Sequence, residues 1–389
     1  MKNLALKLPC LAMLLFAAFP AAAGPETKNA GSGGAARDEI VIGCVVPLTG
    51  EAAIFGQSIQ RGVQLTVDEI NKAGGILGRT VRLVMADDRG DWPTGAEECR
   101  RLIEREGAVA IIGALMSKVS LAIAPICQEA GVPMLSPTST NLAVTQVGDF
   151  IFRACFVDPY QGVMAASFAS RYLGLTKAAV LYDMGNDYST GLAREFVTTF
   201  GMLGGRIVAE QTHGPGSTDF SSQLRRIIQQ RPEIIFIPDY YNDAALIMVQ
   251  ARELGYKGKF LGGDGWDSPE LARYGGEAVE GAFFVNHWAS GDGDPDTEYF
   301  TQLFRGRFGD DPDVIAVLAC DSMLILYHAI NRAGSTEGAA LRDALAATEL
   351  ELFTGWMSFD GDRNPVKSAV IMVIEDGVAV YSDTVDPIP

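Results

Sequence analysis

IIGALMSKVSLAIAPICQEAGVPMLSPTST, residues 111–140, is the stretch whose reading decides the fold. Ile111 to Gly113 reads as an apolar strand, and a helix opens at Ser117. A second strand follows at Pro133 to Leu135, with Thr138, Ser139 and Thr140 in a hydroxyl-rich loop beyond it. Two hydroxyl-bearing turns therefore stand at the carboxyl ends of neighbouring strands. In an open α/β sheet that edge is where ligands bind, and the free N–H groups of a helix start favour an anion. A small carboxylate fits such a place. Ser117 alone also reads as an ordinary N-cap, and the threonines as ordinary loop hydroxyls; it is their joint placement that points to a site.

Working outward, EIVIGCVV (39–46) is an apolar strand, and Gln57 to Asn71 carries Val63, Val67 and Ile70 at helical spacing. TVRLVMAD (80–87) is a strand and Thr94 to Glu106 a helix. This βαβ rhythm implies a mostly parallel sheet covered on both faces. After Phe150 to Arg153 a second series begins. Helices Tyr160 to Tyr172, Tyr188 to Phe200, Phe220 to Gln230 and Asn242 to Leu254 alternate with strands AAVLY, RIVAE, IIFIP and KFLGG. The alternation breaks near Phe284 to His287. Helices Thr297 to Phe308, Val314 to Arg332 and Thr336 to Ala347 come next, and strand-like SAVIMVI and VAVYS close the chain. The simplest topology is two similar α/β lobes, 38–156 plus 286–368 and 157–285 plus 369–389, joined by a hinge that the chain crosses three times.

The beginning of the chain reads as an export signal. Lys2 and Lys7 precede the apolar run Leu11 to Phe19, and Ala21-Ala22-Ala23 supplies a cleavage pattern, so residues 1–23 are expected to be removed. Residues 24–37, rich in Gly, Ala and Ser, read as a flexible leader. The signal run is short for a span of about 20 residues, and no second run is read as reaching that length, so no stable membrane insertion is expected. Loss of Lys2 and Lys7 takes the formal charge from −17 to −19, which argues against nucleic acid or an anionic membrane surface as partner. Cys44, Cys99, Cys127, Cys155 and Cys320 remain. Cys99 and Cys127 lie on helices that could be neighbours, but counting does not fix their pairing.

The usual enzyme signatures are missing. There is no G-x-x-x-x-G-K-[ST], no H-E-x-x-H and no G-x-S-x-G, and His213, His287 and His328 are scattered. No catalytic residue, metal site or cofactor is expected. Asp292, Asp294 and Asp296 imitate the start of a calcium loop, but Thr297 stands where its glycine belongs and Leu303 where its glutamate belongs. Asp264, in GGDGWDSP, lies directly beyond a strand between glycines that let backbone approach a ligand. Asp267-Ser268-Pro269 already supplies the helix start, so Asp264 is redundant as a cap and credible as an ammonium partner. Tyr188 and Tyr240 also lie just past strand ends, and Phe55 occupies the matching loop of the first half.

PLTGEAAIFG, NKAGGILG, MADD, IIGALMS, GVPMLSPTST, DYSTGLA, GGDGWDSPEL and DRNPVKSA together resemble the type I periplasmic solute-binding proteins of the branched-chain amino acid uptake family, over nearly all of residues 38–385. The resemblance implies an α/β fold of two Rossmann-like lobes. It implies a ligand α-carboxylate held at Ser117, Thr138 and Thr140, an α-ammonium held by Asp264, and Phe55, Tyr188 and Tyr240 closing over the ligand. The implied protein is a periplasmic, monomeric subunit that delivers an amino acid, branched-chain or otherwise apolar, to an inner-membrane ABC permease. A ligand-sensing protein for an amino acid, amide or urea-like solute, acting through a separate receptor, is the other reading the same lobes allow. There are departures. Phe55 stands where some relatives have tyrosine, Asp264 where a close relative has glutamate, and Gly90 and Met116 where others carry a disulfide, whose typical contribution is about 2–4 kcal/mol.

Overall fold

A computed structural model describes residues 39–290, 295–367 and 369–385. The expected signal peptide and leader, and Asp292 and Asp294 of the calcium-like loop, lie outside them, and the side chain of Asp296 is likewise not described. The first half runs β1 (Glu39–Val46), α1 (Ala53–Lys72), β2 (Thr80–Asp87), α2 (Trp92–Glu104), β3 (Ala110–Gly113), α3 (Ser117–Ala130), β4 (Met134–Ser136), α4 (Ala143–Gln146) and β5 (Ile151–Arg153). Its five strands form an all-parallel sheet in the order β2-β1-β3-β4-β5. Val45, between β2 and β3, is fully buried with Ile40, Ile42, Cys44 and Val46, which is why the strand reads as a nearly continuous apolar run.

The second half runs α5 (Asp158–Ser167), β6 (Lys177–Asp183), α6 (Asp187–Met202), β7 (Arg206–His213), α7 (Ser221–Gln229), β8 (Ile234–Phe236), α8 (Tyr241–Glu253), β9 (Lys259–Gly262), α9 (Pro269–Gly275) and β10 (Phe283–Asn286). Helices α10 (Pro295–Phe308), α11 (Val314–Ala333) and α12 (Gly338–Ala346) follow, then β11 (Glu349–Leu352), β12 (Gly355–Phe359), β13 (Pro365–Val366), β14 (Ala369–Glu375) and β15 (Val378–Val385). The second sheet has seven strands in the order β15-β14-β10-β9-β8-β6-β7, with β14 and β15 antiparallel at one edge. The chain therefore passes from the first sheet to the second after β5, leaves it after β10 for helices that pack on the first, and returns at β14. Lys367, beside that return, donates to the Ala154 carbonyl at 3.4 Å and to Thr354 Oγ1 at 2.5 Å. This ties two of the crossings together. Burial pulls the Lys367 amine down to about 8, against the opposing charge of Asp321.

Several details differ from the sequence reading. Helix α1 begins at Ala53 instead of Gln57, so Phe55 sits in its first turn and not in a loop. The small antiparallel sheet β11-β12-β13 was not anticipated: ELEL in β11 alternates, but half its positions are acidic. Helix α11 is, by length and composition, apolar enough to cross a membrane, which the reading of the run lengths did not credit. It is a core helix, most of it buried, and it packs along α1. That packing is close because Gly62 lacks a side chain: a Cβ there would lie 2.2 Å from the Ala316 carbonyl oxygen. Gly62→Ala is therefore expected to destabilise the protein by about 1–3 kcal/mol through forced separation of the two helices. Urea unfolding of the variant checks this, and an unchanged midpoint would contradict the close approach.

Candidate functional site

Each sheet has one place where its strand order reverses, and ligands of open α/β sheets gather in the crevice at that point. In the first sheet it lies between β1 and β3, so the segments after them carry Phe55, Leu115 and Ser117 to the same edge. In the second it lies between β6 and β8, whose following segments carry Tyr188 and Tyr240, with Asp264 after the adjacent β9. The two edges face each other across a space of about 300 Å³ lined by Phe55, Leu115, Ser117, Thr138, Tyr188, Tyr240, Asp264, Gly265 and Ile315.

On the first-lobe side, Met116 takes the extended N-cap conformation, so Ser117 is the first helical residue of α3 and makes no cap bond. Its Oγ accepts from the Asn141 amide at 3.4 Å. The first N–H groups of such a helix have no intrahelical acceptor, and its start carries partial positive charge. Hydroxyls hold the surrounding loops. Ser136 and Ser139 both donate to the Ala114 carbonyl, at 2.9 and 3.0 Å, and Ser120 Oγ accepts from Ala114 N at 2.9 Å. Thr138 lines the space, with its hydroxyl donating to the Leu115 carbonyl at 3.0 Å. Thr140, expected in the wall, is not among the lining residues: it lies fully buried, its carbonyl accepting from Asp158 N at 2.9 Å. A strand end predicts where a loop stands, not which way each hydroxyl turns.

On the second-lobe side, Asp264 is held from beneath by two neutral groups. Gln161 donates from Nε2 to Oδ1 at 3.1 Å and accepts from the Asp264 amide at 2.9 Å. His287 Nε2 lies 2.9 Å from Oδ2, its ring stacked on Phe156 with centroids 3.6 Å apart. Burial drives the His287 ring down to about 4 despite the opposing pull of Asp264, so the imidazole is neutral at pH 7 and donates from Nε2. Gly263 makes room for this: a Cβ there would meet Gln161 Oε1 at 2.1 Å and the Tyr188 hydroxyl at 2.6 Å. Tyr188 and Tyr240 stack at 5.2 Å, and Tyr188 Oη accepts from Gly265 N at 3.2 Å. Burial first, then the charge of Asp264, keeps both phenols protonated. Asp264 is thus the one charged side chain in the lining.

The lobes touch around this space. Phe55 meets Tyr241 edge-on at 5.2 Å, the Tyr241 hydroxyl donates to the Glu51 carbonyl at 3.2 Å, and Asn141 Nδ2 donates to the Asp187 carbonyl at 2.8 Å. A larger space of about 620 Å³ lies outside Phe55 and Tyr240, bordered by Glu51, Lys118, Asp183 and Asp243. Gln161, His287, Leu115 and Ile315 were not singled out from the sequence. His287 carried a usable signal, because it directly follows strand β10 as the other site residues follow theirs. Gly90 and Met116 do face each other, with a Cβ at 90 falling 3.3 Å from Met116 Sδ, so the relatives' bridge positions are adjacent here without cysteines. Cys99 and Cys127 are free thiols with sulfurs 3.6 Å apart.

Comparison with known proteins fits this geometry. Residues 39–378 match the family described as periplasmic binding protein, and the chain belongs to that family. It is 30% identical to the Leu/Ile/Val-binding protein BraC3 of Rhizobium johnstonii over 78% of this chain and 82% of that one. The leucine-binding protein LivK of Thermotoga maritima superposes with a TM-score of 0.85 at 36% identity, covering 90% of this chain and 99% of that one. LivJ of Streptococcus pneumoniae, in complex with isoleucine, gives 0.85 at 30% identity, covering 90% and 100%. A solute-binding protein from R. palustris in complex with benzoate shares the fold, with a TM-score of 0.80 at 24% identity, covering 89% and 96%.

Behind the site, the buried Asp158 carboxyl is pushed up from 3.8 to about 8, by burial first, with the Thr140 hydroxyl opposing and Asp264 adding to the rise. It is neutral at pH 7. Because its folded value exceeds the unfolded one, it binds a proton more tightly in the folded state, and stability drains away as pH climbs from about 4 to about 8. Asp158→Asn is expected to gain on the wild type by about 1.4 kcal/mol per pH unit inside that window. Denaturation midpoints at pH 5 and 7.5 check it; a constant difference between the two proteins would contradict a buried neutral Asp158.

Proposed function

We propose that this chain is the extracytoplasmic substrate-binding subunit of an ABC-type uptake system, capturing a small apolar L-α-amino acid between its lobes and delivering it to an inner-membrane permease. The observation that carries the reading is the lining: one carboxylate, Asp264, held by neutral donors, opposite the open start of α3. A zwitterion matches both ends. Its ammonium meets Asp264 from the second lobe, and its carboxylate meets the α3 start and Ser117 from the first. Only a closed cleft satisfies both charges, so ligand shifts the lobes toward closure by its differential affinity for that state. The lobes that move are residues 38–156 with 286–368 and 157–285 with 369–389, and the protein acts as an exported monomer.

The remaining wall favours a branched apolar side chain. Phe55, Leu115, Tyr240 and Ile315 offer carbon surface to it. Benzoate, bound by a protein of the same fold, is a poor guest here, because its carboxylate brings no positive group to Asp264 and the lining has no lysine or arginine. Isothermal titration of refolded, ligand-free protein tests this. L-leucine, L-isoleucine or L-valine is expected to bind and benzoate to give no heat, while Asp264→Ala weakens amino acid binding by about 2–5 kcal/mol. Benzoate binding in preference to all three amino acids, or an unaffected Asp264→Ala, would overturn the reading.

A further inference from the structure

Asp267 stands three residues beyond Asp264, yet it turns away from the cavity and reaches the other lobe. Its Oδ2 accepts from the Val314 amide at 3.0 Å. Val314 is the first residue of the 20-residue helix α11, which packs along α1 in the first lobe. That helix start has a cap of its own lobe as well: Asp313 accepts from Ala316 N at 2.8 Å through Oδ1 and from Ser58 Oγ at 2.5 Å through Oδ2. Carboxylates from two lobes thus meet at one helix terminus, where unpaired N–H groups and the helix dipole favour negative charge.

The position of this contact matters more than its strength. Ile315, next to Val314, lines the solute space, as do Asp264 and Gly265 of the turn that Asp267 closes through a bond from its own amide to the Asp264 carbonyl at 3.1 Å. A separation of α11 from Asp267 therefore opens the floor of the cavity, and the same turn carries the group that faces the solute. Burial first, and then the like charge of Asp313, work against a charged Asp267, while the bonds from the Val314 amide and the Asn286 side chain favour it, and this balance keeps the contact breakable.

We propose that Asp267 is a positioning residue for solute capture, an interlobe latch whose bond to the start of α11 forms when the cleft shuts and breaks when it opens. The inference rests on the reading that two lobes close around a solute. Without the latch the closed form loses a contact made only in that state, so release quickens and affinity falls, while the groups that touch the solute stay unchanged.

A dye pair reporting lobe separation tests it. Cys44, Cys99, Cys127, Cys155 and Cys320 are buried, so cysteines replacing exposed Trp92 and Met184, one on each lobe, take the labels selectively. Energy transfer is measured for this protein and for its Asp267→Ala and Asp267→Asn forms, with and without L-leucine. The expected result is a lower closed fraction and roughly 10-fold weaker leucine binding for Asp267→Ala, mostly through faster release, with Asp267→Asn restoring most of both because it keeps an acceptor oxygen. A closed fraction that Asp267→Ala leaves unchanged both with and without leucine would overturn the latch. If leucine does nothing to the wild type while Asp267→Ala still lowers the ligand-free closed fraction, the latch stands and the amino-acid reading falls.

Discussion

A buried carboxylate with no cation partner among the described residues organises this molecule. Asp264 is 5% exposed, and its two side-chain partners, Gln161 and His287, are both neutral donors. Hydrogen bonds of that kind hold a carboxylate in place without cancelling its charge, and an uncompensated charge away from water is costly. On the proposed reading, the ammonium of the solute supplies the missing cation. Nearby groups sharpen the demand: Asp158 stays protonated, and the phenols of Tyr188 and Tyr240 stay neutral, so the negative charge is concentrated on one group.

The fold explains why that group finds an opposite number. Reversal of strand order leaves one crevice per sheet, and the three passages of the chain between the sheets set the crevices mouth to mouth. One crevice ends in the start of α3, which favours an anion; the other ends in Asp264, which favours a cation. Neither half can hold a zwitterion alone. On the proposed reading, division of the two charges between separate bodies converts binding into motion, because a zwitterion's two ends are satisfied together only when the bodies meet.

Much of this was legible in the sequence because it depends on strand ends. Ser117, Thr138, Tyr188, Tyr240 and Asp264 all follow apolar strands closely, and all line the space. What could not be read depends on side-chain direction or on residues brought from afar. Thr140 is two positions from Thr138 but fully buried, its carbonyl accepting from the Asp158 amide, and it is not among the lining residues. Gln161 reaches Asp264 across 103 positions from inside a helix that reads as ordinary packing, and Ile315 is one apolar residue in an apolar run. Phe55 reads as a loop residue because α1 starts at Ala53 without any side-chain cap to mark it. The sheet β11-β12-β13 was missed because its strands are short and partly acidic.

A crystal structure of the protein grown with L-leucine, determined finely enough to place the ligand atoms, tests the central claim most directly. The account predicts leucine between the lobes, its ammonium in hydrogen-bonding contact with Asp264 and its carboxylate against Ser117 and the first amides of α3. A bound leucine with these ends reversed, or one leaving Asp264 to be neutralised by water or by a protein cation, would contradict it.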